Sequence, residues 1–225
     1  MPSADSDGPG RAGRSLAPPP STGTQSPPPG TGAGGDAAAG FRKVAEETLF
    51  EGVVFNVSHG TFVAPDGTSF ERYVVRHPGA VAVVAVTGEG SVVLLRQYRP
   101  SVDRWILEIP AGTRDVDDEP AVETARRELA EEAGYEAGQM ELLAEILNTP
   151  GFCDEATGIY LATGLTAVPP RRHGVEEQQI SVEEIDLDRF DDLVDDGSIT
   201  DAQTIVGVAL ARRRLAARDA RSGRG

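Results

Sequence analysis

Glu128, Glu131 and Glu132 stand at i, i+3 and i+4 inside residues 119–133, a stretch that reads as one short helix ended by Gly134. At that spacing all three carboxylates leave one helix face within a single turn, where like charges repel unless a cation lies among them. A hard divalent ion meets the need, because Mg²⁺ is held by carboxylate oxygens and commonly brings a phosphate ligand with it. The other reading of such a run is a solvated acidic face, and on composition alone that is the commoner meaning.

The spacing of the neighbouring residues separates the two readings. Gly112, Glu119, Arg127, Glu128, Leu129, Glu131, Glu132, Gly134 and Tyr135 resemble the Nudix box, a glycine and a glutamate followed by Arg-Glu-(apolar)-x-Glu-Glu-x-Gly-(apolar). Six residues separate Gly112 from Glu119 where the usual pattern has five. The extra residue falls in the loop before the helix, where an insertion costs little closure entropy. Nine matched positions over 24 residues are far more specific than a plain acidic face requires.

Residues outside the box narrow the resemblance to the ADP-ribose pyrophosphatases of that family. These are Glu108-Ile109-Pro110-Ala111-Gly112, Gln97-Tyr98-Arg99, and Pro150, which lies 16 residues after Gly134. Asn148-Thr149-Pro150-Gly151-Phe152 and Tyr160–Leu165 resemble the strands that follow the box. The resemblance spans about residues 45–212. It implies Mg²⁺-dependent hydrolysis of the diphosphate of ADP-ribose to AMP and ribose 5-phosphate, with Mn²⁺ as a substitute ion. Another nucleoside diphosphate sugar or a damaged nucleotide is the alternative substrate. A silent nucleotide-sensing domain is a remote alternative, since such domains usually lose box carboxylates.

The same resemblance implies the site. Glu128, Glu132 and Glu131 would ligate metal together with the main-chain carbonyl of Ala111. Arg127 would orient those glutamates and pair with Glu119. A water-activating base is expected on the loop 171–179, at Glu176, with Glu177 as the alternative; the bland reading of either is an exposed loop acid. Arg72, Arg99 and Glu108 are the candidates for substrate contact, with Arg104 a more distant one. Arginine suits phosphate because its planar fork matches the oxygens, although each arginine also reads as a surface charge beside nearby acids. His173 reads as a turn residue. A homodimer, in which N-terminal strands of one subunit help build the other's adenine pocket, is also implied.

Positioning these groups needs a globular domain, and the 225 residues leave room for one plus a tail. A net charge of −15 and a pI near 4.6 argue against nucleic acid or an anionic membrane as partner. Cys153 is the only cysteine, so no intrachain disulfide forms and a reducing compartment is favoured. No apolar run approaches the ~20 residues of a spanning helix and no signal pattern opens the chain. A cytoplasmic location is expected.

Residues 1–40 hold eight prolines and nine glycines and read as a disordered tail. Residues 41–78 read as two or three antiparallel strands around the turn Pro65-Asp66-Gly67. Residues 79–218 are the expected Nudix domain, and 219–225 a flexible end. Ala80–Thr87 and Ser91–Tyr98 read as a buried hairpin, and Trp105–Ile109 as a further strand. Strands at Glu141–Leu147, Ile159–Ala162 and Ile180–Asp186 follow, then helices at Leu187–Asp195 and Asp201–Arg218. The class is α+β, an α/β/α sandwich about a mixed sheet with an antiparallel N-terminal region.

Overall fold

In the computed structural model, which describes residues 40–222, the first three strands form a sheet of their own. β1 (Arg42–Glu51), β2 (Asn56–Val63) and β3 (Ser69–Arg76) pair antiparallel in the order β1-β2-β3. Three strands are thus found where two or three were expected. The turn between β2 and β3 closes on Asp66, whose carboxylate accepts from Thr68 N–H at 2.9 Å, while Gly67 takes a left-handed φ of +87°. Every residue of β1 is exposed.

The remaining strands build two further sheets. β7 (Ala111–Thr113), β4 (Ala80–Ala85), β9 (Ala156–Ala167) and β8 (Tyr135–Leu147) form one, with β4 and β9 parallel and the other pairs antiparallel. β10 (Ser181–Asp186), β5 (Ser91–Arg99) and β6 (Arg104–Glu108) form the other, fully antiparallel.

The expected hairpin of 80–98 is corrected here. The turn forms, with Thr87 N–H donating to Ser91 O at 2.9 Å, but the strands pair only at Val86 and Val92 before diverging into different sheets. The stretches Ala80–Ala85 and Val92–Leu95 are apolar at every position and buried on both faces, so each needs covering layers that a two-stranded ribbon cannot supply. The short β7 was not legible either, because three residues after Pro110 carry no periodicity. β8 and β9 run several residues beyond their apolar centres.

The alternation of β4 shows how the layers are filled. Ala82 and Val84 join Leu94, Ile159, Phe190 and Val208 in one core. Val81 and Val83 join Leu95, Ala125, Leu129 and Tyr160 in a second core on the opposite face. Helix α1 (Ala121–Glu128) covers the second core and α2 (Phe190–Asp195) and α3 (Ala202–Ser222) the first. This is the expected α/β/α arrangement. α3 continues to Ser222, past the end read from sequence; the Pro/Gly-rich residues 1–39 and the last three residues lie outside those described.

Two contacts fix the lead-in to the acidic helix. Thr204 at the start of α3 accepts from Ile109 N–H at 2.9 Å inside the protein and itself donates to half-buried Asp201 at 2.7 Å. Gly207 lets α3 approach β4: a Cβ there would lie 2.9 Å from Val84 Cγ2 and 3.2 Å from Ile109 Cδ1. Gly207→Val should therefore destabilise the fold by about 1–3 kcal/mol through overpacking. A lowered urea midpoint with an unchanged m-value is the expected result.

Candidate active site

The acidic helix is two pieces. α1 ends at Glu128 and a π-helical turn, Leu129–Ala133, follows it and closes on left-handed Gly134 (φ +73°), whose N–H reaches Leu129 O. Widened turns of this kind recur at functional sites. A Cβ at position 134 would meet Val168 O at 2.8 Å, so the glycine is needed for conformation and for space. In the loop before the helix Asp118 adopts φ +60°. Glu119, the next residue, lies within reach of Arg127 (3.3 and 3.4 Å).

Arg127 is the hub of the cluster. Its Nη1 donates to Glu128 Oε1 at 2.7 Å and to Glu131 Oε2 at 3.2 Å, while its other nitrogens serve Glu119. Arg127 thus touches Glu119 and two of the three box glutamates. Burial works against the charge on Arg127, but the three carboxylates outweigh it and keep the group protonated.

Gly112, on β7, lies so near the helix that a Cβ would fall on the Glu128 carboxyl. One residue earlier, Ala111 N–H donates to Glu132 Oε2 at 3.0 Å. Strand β7 thus carries the first box glycine and the expected carbonyl ligand against the helix face.

Burial sets the charge state of these acids. Glu132 is pushed up to about 8 by burial and the charge of Glu128, against the Ala111 N–H and the more distant Arg99. Glu128 is pushed up to about 7 by burial, with Glu131 and Glu177 adding to it and Arg127 opposing. Glu108, beside Arg99 at 2.9 Å, is pushed up to about 7, again by burial first. The site therefore holds more buried acid than its arginines neutralise, with hard oxygen donors throughout, and that fits a divalent cation. Among the described residues no three acidic, imidazole or thiol groups already converge as a metal cage. Arg127 lies between Glu128 and Glu131 instead.

The other candidates fall into two groups. Arg99 and Glu108 pair with each other, and the charges of both are felt at Glu132, so they belong to the cluster. Of the loop acids, Glu176 is exposed at the head of a 3-10 turn. Glu177 accepts from His173 N–H at 2.8 Å, and its charge is felt at Glu128. His173 Nε2 lies 3.9 Å from Glu131, which its reading as a turn residue did not anticipate. Arg104 donates to Thr200 at 3.0 Å.

Arg72 lies elsewhere, over the ring of Phe70 at 4.9 Å. It lines a cleft of about 500 Å³ with Phe62, Phe70, Tyr73, Arg76, Pro150 and Phe152, and no box carboxylate borders that cleft. The wall is tied together by Arg76, which bonds Glu46 at 2.7 Å and Asp154 at 2.9 Å.

The profile of the NUDIX domain family matches residues 75–202. The chain belongs to this family. Related to this Nudix chain are an ADP-ribose pyrophosphatase of Bacillus subtilis (strain 168) and a methanol dehydrogenase activator of Bacillus methanolicus. They are 36% and 37% identical over 167 residues, covering 74% of this chain and 90% of each relative. An ADP-ribose pyrophosphatase of Mycobacterium tuberculosis is 41% identical over 137 residues, covering 60% of this chain and 66% of its own. A crystal structure described as an ADP compounds hydrolase shares the Nudix fold at a TM-score of 0.70 and 22% identity, covering 82% of this chain and 98% of that one.

A pH dependence follows from the buried acids. Glu108, Glu128 and Glu132 start from an ordinary value of 4.5 and stand near 7, 7 and 8 when folded. The folded state then binds more protons, so metal-free stability is highest below 4.5 and falls as pH rises through 7–8. Glu46, held at about 2 by Arg76 and Lys43, has the opposite sign, but its window lies below 4.5. In EDTA the Tm should drop between about pH 5.5 and 8.5. The Tm increment from added Mg²⁺ should grow over the same range, because binding displaces those protons. An increment independent of pH would contradict this account.

Proposed function

We propose that the chain hydrolyses the diphosphate of ADP-ribose to AMP and ribose 5-phosphate. One observation carries the chemistry: Glu128 and Glu132 lie against β7 with their carboxyls pushed up by burial, and Arg127 bonds both Glu128 and Glu131. The choice of substrate is supported by the two ADP-ribose pyrophosphatases among the relatives and by the Glu-Ile-Pro-Ala-Gly lead-in.

Glu128, Glu132, Glu131 and the carbonyl of Ala111 would hold Mg²⁺, or Mn²⁺ in its place. A divalent ion there supplies neutralisation of the diphosphate and acidification of water. Arg127 would keep Glu128 and Glu131 in place for the ion while being itself paired with Glu119. Arg99, held by Glu108, is the cation nearest the cluster for a phosphate oxygen. The attacking water forms a new O–P bond, the bridging P–O bond breaks, and the water's proton passes to a loop carboxylate. Between the two loop acids, the contacts of Glu177 favour it over Glu176.

Glu128→Gln and Glu132→Gln should each lower Mg²⁺-dependent turnover by orders of magnitude and leave the fold intact. Glu177→Gln should lower kcat by about 10²–10⁴-fold, and Glu176→Gln far less. Product analysis over ADP-ribose, GDP-mannose and other nucleoside diphosphate sugars identifies the substrate. Full Mg²⁺-dependent activity in either metal-site variant would overturn the assignment.

The cleft beneath Arg72 has no box carboxylate in its walls, and β1 is exposed along its whole length. Both observations support a homodimer in which the N-terminal sheet of one subunit completes the substrate pocket of the other. Apolar Phe41, Leu49, Phe50 and Phe55, each between 43% and 55% exposed, give that sheet material for an interface. Sedimentation should report a dimer, and a fully active monomer would contradict this arrangement.

A further inference from the structure

Arg172, in the loop 171–179, is set apart from the other arginines by its contacts. Its Nε and Nη2 donate to the main-chain carbonyl of Glu132 at 3.0 and 2.9 Å, and its Nη1 donates to Ile180 O at 2.7 Å. All three of these bonds go to main-chain carbonyl oxygens. The guanidinium is half-buried and spends its fork on backbone rather than on acids.

The carbonyls it serves need partners. A helix leaves its last four C=O groups without intrahelical donors, and here that end carries two proposed metal ligands. Glu131 O is taken by Arg171 N–H at 3.0 Å and Glu132 O by Arg172. Val168 N–H donates to Gly134 O at 2.8 Å, so residues 168–172 run beside the π-helical turn. The loop that follows leaves at Arg172 and returns at buried Ile180, and the same guanidinium touches the return point. Between those ends lie His173, which donates to Glu177, and Glu177 itself.

We propose that Arg172 is a positioning residue for the hydrolytic centre. Its fork ties the main chain at Glu132 to the closing end of the 173–179 loop, holding the metal-binding turn and the base-bearing loop in one register. A lysine lacks this reach, because its three N–H donors share one nitrogen and do not form the flat fork that meets both carbonyls. The proposal rests on the reading of the chain as a metal-dependent hydrolase and adds how two separate elements are held together within it.

The test uses the full chain as wild type, Arg172→Ala and Arg172→Lys. Mg²⁺ alone is titrated by calorimetry, amide hydrogen exchange is followed over residues 173–179, and ADP-ribose turnover is measured. Both variants should bind Mg²⁺ about 10–100-fold more weakly and lose kcat by a similar factor, as outer partners of ligands do, with KM little changed. Exchange in the loop should accelerate while that of β4 does not, and added guanidinium ion should restore part of the kcat of Arg172→Ala. Wild-type Mg²⁺ affinity and loop exchange in Arg172→Ala would overturn the proposal. If that variant does not fold, the same result in Arg172→Lys would overturn it equally. A wild-type chain inactive on ADP-ribose would count against the substrate, leaving the metal-binding and exchange measurements to judge Arg172.

Discussion

Glu128 and Glu132 carry their carboxyl groups out of water on the helix face that meets β7, and the rest of the site is arranged around that cost. Burying an ionised carboxylate is expensive unless it is paired, and an unpaired one moves its pKa until it is neutral. Here Arg127 is shared among three acids and Glu132 has one backbone N–H, so both groups are pushed up to about 7–8. The deficit is of positive charge in a small, oxygen-lined space. A divalent ion satisfies it in a way one more arginine cannot, because it takes several oxygens at once.

That requirement explains features that otherwise look unrelated. Gly112 must lack a side chain because the Glu128 carboxyl occupies the place of its Cβ. Thr204 of α3 holds Ile109, which sets the height of β7 against the helix. Arg99 spends itself on Glu108 and remains within electrostatic reach of Glu132, so cation and buried acid travel as a pair. Far from these, the N-terminal sheet and the 148–154 segment frame an apolar cleft tied by the Arg76–Asp154 bridge. The box acids and this cleft thus lie on different parts of one chain.

Much of this was legible without coordinates because it depends on local rules. The three-residue and four-residue spacing of the glutamates, the glycine stop, and the apolar stripe of Ala125, Leu129 and Ala133 each specify a helix with one wet and one dry face. Runs such as Ala80–Ala85 announced strands buried on both faces. Pairing was less legible. Adjacent strands β4 and β5 looked like a hairpin and instead belong to different sheets, since nearness in sequence does not decide which edges are covered. β7 was invisible for the same reason: its three residues are a strand only because β4 offers them an edge.

From its residues alone the chain determined the acidic helix, the family, and which acids and arginines were worth weighing, because those follow from side-chain type and spacing along a short segment. Tertiary structure decided which of them meet. It gave Glu177 a bond from His173 N–H and an electrostatic reach to Glu128, placed Arg72 on a separate cleft, and set the Arg172 guanidinium on the Glu132 carbonyl. It also determined how far the buried acids are shifted. Those outcomes depend on distance and solvent exclusion between segments remote in sequence, and no local pattern encodes either.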